Sequence, residues 1–130
     1  MSSRLQLFWF VLVGGSAFAV HYLLVLLLVG RWAVTPLHAN VLAFCCAFWV
    51  SYFGHRRLTF QVGHGHRQTL PRFALVSLSS FAINQLLFAL LLLELPAVPY
   101  YVSLAIVLVA VAILTFLISK FWAFAHDRHP

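Results

Sequence analysis

Leu7 to Val29 reads LFWFVLVGGSAFAVHYLLVLLLV, with no Asp, Glu, Lys or Arg in it. At a rise of ~1.5 Å per residue, a helix of ~20 apolar residues crosses a hydrocarbon core ~30 Å thick, so this stretch can span a bilayer. Arg4 and Arg31 bound it. Three further stretches repeat the situation: Arg31 to Arg56, Arg72 to Glu94 and Glu94 to Lys120 carry no charge between their ends. The expected fold is all-α, an integral membrane four-helix bundle with helices at about 7–29, 37–55, 72–93 and 99–124. With most of its 130 residues in those helices, the chain is expected to form a single domain, 1–130.

Composition agrees, since 64% of residues are hydrophobic, 8% are charged and mean hydropathy is +1.01. These values leave no room for a separate soluble catalytic domain. The net charge of +6 is read first as a topology signal. With the N-terminus inside, Arg4, Arg56, Arg57, Arg67, Arg72, Lys120 and Arg128 fall on the cytoplasmic side and only Arg31 falls outside. Both termini are then cytoplasmic. Nucleic acid is not an expected partner, because no basic amphipathic helix and no basic strand with interleaved aromatics is present. Ala17-Phe18-Ala19 has the small-residue pattern of a signal-peptide cleavage site, but the apolar run continues to Val29 and reads as a retained helix.

The connections follow from turn chemistry. Pro36 disfavours helix at Thr35 and suits the first position of the next helix, so Arg31 to Pro36 is a tight outer turn. Arg56 to Pro71 lacks apolar periodicity and is expected to be a cytoplasmic loop, and Glu94 to Pro99 a second outer turn. Trp49, Tyr52 and Phe53 form an aromatic belt at the cytoplasmic end of the second helix. Cys45 and Cys46 are adjacent, cannot be bridged to any other cysteine, and are expected to be packing residues.

Placing Phe10 on Phe73, a shift of 63 positions, exposes an internal repeat. Leu12 meets Leu75, Ser16 meets Ser79, Phe18 meets Phe81, Ala19 meets Ala82 and Leu23-Leu24 meet Leu86-Leu87. With two helices per half, both halves insert the same way up, which makes two parallel two-helix repeats. Ser77, Ser80 and Asn84 then share one face of the third helix, and Gly14, Ala17 and His21 the matching face of the first. His21 and Asn84 lie well inside the bilayer, where polar groups must face protein or water. Two readings stay open: a packing face with an interhelical hydrogen bond, or a polar track for a substrate head group made of His21, Asn84, Ser77 and Ser80.

Arg56 and Arg57 end the second helix, with His55 beside them, and Lys120 holds the corresponding place on the fourth. An arginine fork donates two parallel hydrogen bonds to a phosphate, so these four residues are candidates for binding a lipid phosphate. They equally suit simple anchoring to anionic lipid head groups. His64-Gly65-His66 does not resemble a preformed metal site, and no cofactor is expected. Glu94 and Asp127 are the only carboxylates, one in a turn and one in the tail, so no acid–base pair exists and an enzyme is not expected. A proton-coupled exporter is disfavoured for want of an intramembrane carboxylate.

Phe8 to Leu28, with Phe10-Val11-Leu12-Val13-Gly14-Gly15, resembles the opening helix of GtrA-like proteins. Val50-Ser51-Tyr52-Phe53-Gly54-His55-Arg56-Arg57-Leu58-Thr59-Phe60 is similar to that family's signature, with His55 where its pattern has Asn. Arg72-Phe73-Ala74-Leu75-Val76 and Phe116 to Phe124 resemble the start of its third helix and the end of its last. The resemblance implies flipping of a polyprenyl-phosphate-linked sugar across the bacterial inner membrane for decoration of surface polysaccharide such as O-antigen. It also implies a glycosyltransferase partner. The alternative is a scaffold that recruits or orients such a transferase and transports nothing. A bundle this small is expected to work as a homo-oligomer, or in complex with the transferase, among membrane lipids.

Overall fold

The computed structural model describes the backbone of residues 2–59 and 66–126, and the side chains of 2–59 and 70–114. Four α-helices follow in order: α1 (Ser3–Trp32), α2 (Pro36–Gly54), α3 (His66–Glu94) and α4 (Tyr100–His126). A π-helical turn, His55–Thr59, continues α2. Among the described residues there is no strand, and the all-α expectation holds.

Helix ends differ from the sequence expectation for local reasons. α1 starts at Ser3, four residues before the apolar run, because the Ser2 hydroxyl accepts the Leu5 N–H at 3.3 Å and caps the helix. It ends at Trp32, where Ala33 adopts left-handed φ 54° and both Ala33 and Val34 donate to the Leu28 carbonyl. Pro36 begins α2 as expected. The expected loop from 56 to 71 is largely helical instead: residues 55–59 form the π-turn and α3 starts at His66, with Pro71 inside it. A helix end in water needs no apolar periodicity, so polarity alone did not exclude helix there. Residues 60–65, including His64 and Gly65, lie outside the described residues, as does the side chain of His66.

The chain forms two compact units, Met1–Phe81 and Ala82–Pro130. In the first, α1 and α2 make an antiparallel hairpin. Asn40 and Gly54 of α2 both touch α1, and Ala39, Ala43 and Ala47 lie on the same α2 face, buried at four-residue spacing. Small side chains let helix backbones approach closely, which drives association where burial of apolar surface gains nothing over lipid. Gly54 is a point of close approach, where an added Cβ would lie 2.6 Å from Val13 Cγ1. Val13, His21 and Val25 form the buried line of α1. Gly14 is exposed, one position off that line and with nothing near a Cβ placed on it.

The start of α3 meets α2 differently, through rings. Phe44 stacks on Phe81 at 4.3 Å between centroids, and Phe73 lies 5.4 Å from Phe48 and 5.5 Å from Tyr52. Cys45 and Cys46 are exposed rather than packed.

In the second unit, α3 buries Asn84 and Phe88, and α4 buries Ser103, Leu104, Val107, Leu108 and Val111 along one stripe. The repeat is visible in local geometry. Ser16 and Ser79, superposed by the 63-residue shift, each donate to the carbonyl four residues earlier at 2.8 Å, which satisfies a hydroxyl on an exposed face. His21 and Val25 are buried, and so are their counterparts Asn84 and Phe88. Val13 breaks the pattern, being buried where Val76 is 62% exposed.

Candidate lipid-phosphate site

The signature at the end of α2 folds as a widened turn. The His55 N–H is shared between the Ser51 and Tyr52 carbonyls, and the backbone then opens into the π-turn. His55 Nδ1 and Thr59 Oγ1 lie 2.9 Å apart, bridging the turn from its first to its last residue, with Thr59 buried. Phe10 of α1 packs on the His55 ring at 5.1 Å. His55 therefore braces the turn.

The two arginines are used differently. Arg56 is half-buried with Nη1 withdrawn from solvent. Arg57 is exposed, its guanidinium carbon 5.6 Å above the Phe53 ring, an arrangement that orients the cation by attraction to the ring face. Three of the four residues expected to meet a lipid phosphate thus share one turn at the end of a spanning helix. The side chain of the fourth, Lys120, lies outside the described residues. Arg4 starts α1 at this same end of the hairpin, and Arg31 closes α1 at the other.

Among the polar-track candidates, His21 has a partner the sequence reading missed. Its Nε2 lies 2.6 Å from Asn40 Oδ1, with both residues buried. An amide oxygen only accepts, so Nε2 carries the proton and donates. The available signal was Asn40 itself, a lone amide in an uncharged spanning segment. Ser77 and Ser80 are half-buried on α3, and Asn84 is 4% exposed. Ser103, also unforeseen, is buried with no hydrogen-bond partner for its hydroxyl among the described residues.

Three helical segments are long and apolar enough to cross a membrane, Ser3–Trp32, Pro36–Thr59 and Leu70–Glu94, and Tyr100–Leu114 is a shorter apolar helix. Apolar helices of that length, with a basic aromatic turn at one end, define a multi-helix membrane protein. Residues 9–124 match the family model described as GtrA/DPMS, transmembrane domain, and the chain belongs to that family. Membership ties it to processes that handle sugars linked to lipid phosphates. No curated protein and no solved structure matches the chain.

Proposed function

We propose that the protein flips a polyprenyl-phosphate-linked sugar across the bacterial inner membrane to supply surface glycan modification. The carrying observation is the π-turn, which sets Arg57 outward and Arg56 partly inward beside a braced His55. A phosphate diester or monoester arriving at the end of α2 meets two guanidinium forks there, each able to make charge-assisted hydrogen bonds. The excess of positive charge at this end of the hairpin supports a cytoplasmic location for it and for both termini. Farther in, Ser77 and Ser80 lie half-buried on α3, at a depth where a sugar would otherwise lose all of its water. Sugar transfer itself is assigned to a glycosyltransferase partner, with this chain acting in an oligomer or in complex with it.

Translocation in proteoliposomes tests the reading, with the outward-facing sugar read by a membrane-impermeant reagent. Unaltered protein should move the sugar-lipid faster than empty vesicles. Arg56→Ala with Arg57→Ala should slow it about tenfold or more, since each lost charge-assisted bond is worth ~1.5–3 kcal/mol. Asn84→Leu should slow transport while preserving assembly. Folded protein that moves nothing would make it a scaffold for the transferase.

A further inference from the structure

We infer that a groove between α2 and α3, within the first unit, seats the isoprenoid chain of a polyprenyl phosphate whose anionic head rests at Arg57. This deepens the reading of the basic turn and rests on it. The groove has a volume of about 220 Å³ and is lined by Phe44, Cys45, Phe48 and Trp49 of α2 and Ala74 and Leu78 of α3. It exists because the seam is built from rings. The Phe44–Phe81 and Phe48–Phe73 contacts hold the two helices apart, and the small Ala74 leaves the space between them unfilled.

An apolar hollow in a membrane does not by itself choose an occupant, because every lipid tail is as apolar as its walls. Here the hollow is joined to a charge. Trp49, on its wall, stacks on Phe53 at 5.8 Å and 25°, and Phe53 in turn carries the Arg57 guanidinium at 5.6 Å. Trp49, Phe53 and Arg57 recur every four residues, so one continuous strip of α2 surface runs from cation to groove. Arg57 lies about 12 Å along the helix axis from Trp49 and about 20 Å from Phe44, which places the groove beside the isoprene units that follow the first two. An isoprenoid chain carries a planar, methyl-substituted double bond in every repeat, which a saturated acyl chain lacks, and those flat faces can lie against a cleft walled by aromatic rings. Head and tail are then recognised together, the phosphate by Arg57 and the chain by the rings.

The test uses the whole protein in phosphatidylcholine nanodiscs and a polyprenyl phosphate bearing a diazirine on the isoprene units that follow the first two. Photolabel should concentrate on Phe44, Cys45, Phe48, Ala74 and Leu78, and far less on the adjacent Cys46. Unlabelled polyprenyl phosphate should compete it away, whereas polyprenol and phosphatidylglycerol should not. Ala74→Trp, which fills the groove, should weaken long-chain polyprenyl phosphate about tenfold and leave dimethylallyl phosphate binding unchanged. Label spread evenly over lipid-facing side chains overturns the groove assignment, as does competition by phosphatidylglycerol. The photolabel map needs no substitution, so a misfolded Ala74→Trp would not shield the proposal. Arg56→Ala with Arg57→Ala should weaken both phosphates. Unchanged binding of both would bring down the phosphate reading itself, whereas loss of both with evenly spread label removes only the groove.

Discussion

Helix α2 makes two seams of opposite character on two of its faces. Toward α1 it presents Ala39, Ala43 and Ala47, bracketed by Asn40 and Gly54, and the helices meet closely enough for Gly54 to have no room for a Cβ beside Val13. Toward the start of α3 it presents Phe44, Phe48 and Tyr52, which meet Phe73 and Phe81 ring to ring and leave a groove. Both faces repeat every four residues, and side-chain size alone separates them. In a bilayer the close seam gains from backbone approach and from the His21–Asn40 hydrogen bond, neither of which lipid can replace. The ring seam trades contacts that lipid tails largely reproduce, so it is the one free to open around a ligand.

The largest expected effect comes from breaking the close seam. Ala43 is fully buried, and Ala43→Leu inserts three carbon atoms where the helices have no space for them. Overpacking of this kind costs roughly 3 kcal/mol. Thermal unfolding in detergent should show a large fall in midpoint, and an unchanged midpoint would mean that the α1–α2 contact is not close.

Gly54→Ala sharpens the same point through the sign of its effect. Alanine is favoured over glycine in a helix by ~0.8–1 kcal/mol, but here the new Cβ meets Val13 Cγ1 at 2.6 Å and Cγ2 at 3.1 Å. Valine is stiff about χ1 and cannot swing both methyls away, so the clash should win and destabilise by about 1 kcal/mol net. In a Val13→Ala background the clash is gone and Gly54→Ala should become stabilising by up to ~1 kcal/mol. Destabilisation in both backgrounds would place the cause elsewhere than Val13.

Sequence carried the spanning helices, the Pro36 start of α2 and the basic signature, because charge absence, proline and arginine act through local rules. It did not carry the partner of His21, since which amide meets which imidazole depends on how two helices are rotated against each other. The π-turn was equally hidden. It is accompanied by a side-chain bridge from His55 to Thr59 and by packing of Phe10 on His55, neither of which has a spacing signature distinct from an ordinary helix. Cys45 and Cys46 were misread for a related reason: in a spanning helix the exposed face is as apolar as the buried one, so hydrophobicity no longer reports the inside.

The smallest expected effect lies on the ring face and completes the comparison. Phe48 is half-buried and lies 5.4 Å from Phe73, 6.3 Å from Tyr52, 6.0 Å from Phe44 and 5.1 Å from Trp49. Phe48→Leu removes those ring contacts, each worth ~0.5–1.5 kcal/mol beyond area burial, but in the membrane the vacated surface is rewetted by lipid rather than water. A net loss of about 1 kcal/mol or less is expected, well below that of Ala43→Leu although both variants place a leucine on the same helix. The equality of the introduced residue makes the pair informative. A larger loss at Phe48 than at Ala43 would show that the rings, and not the alanine stripe, hold the first unit together, and a groove in so rigid a seam would have no freedom to admit a chain.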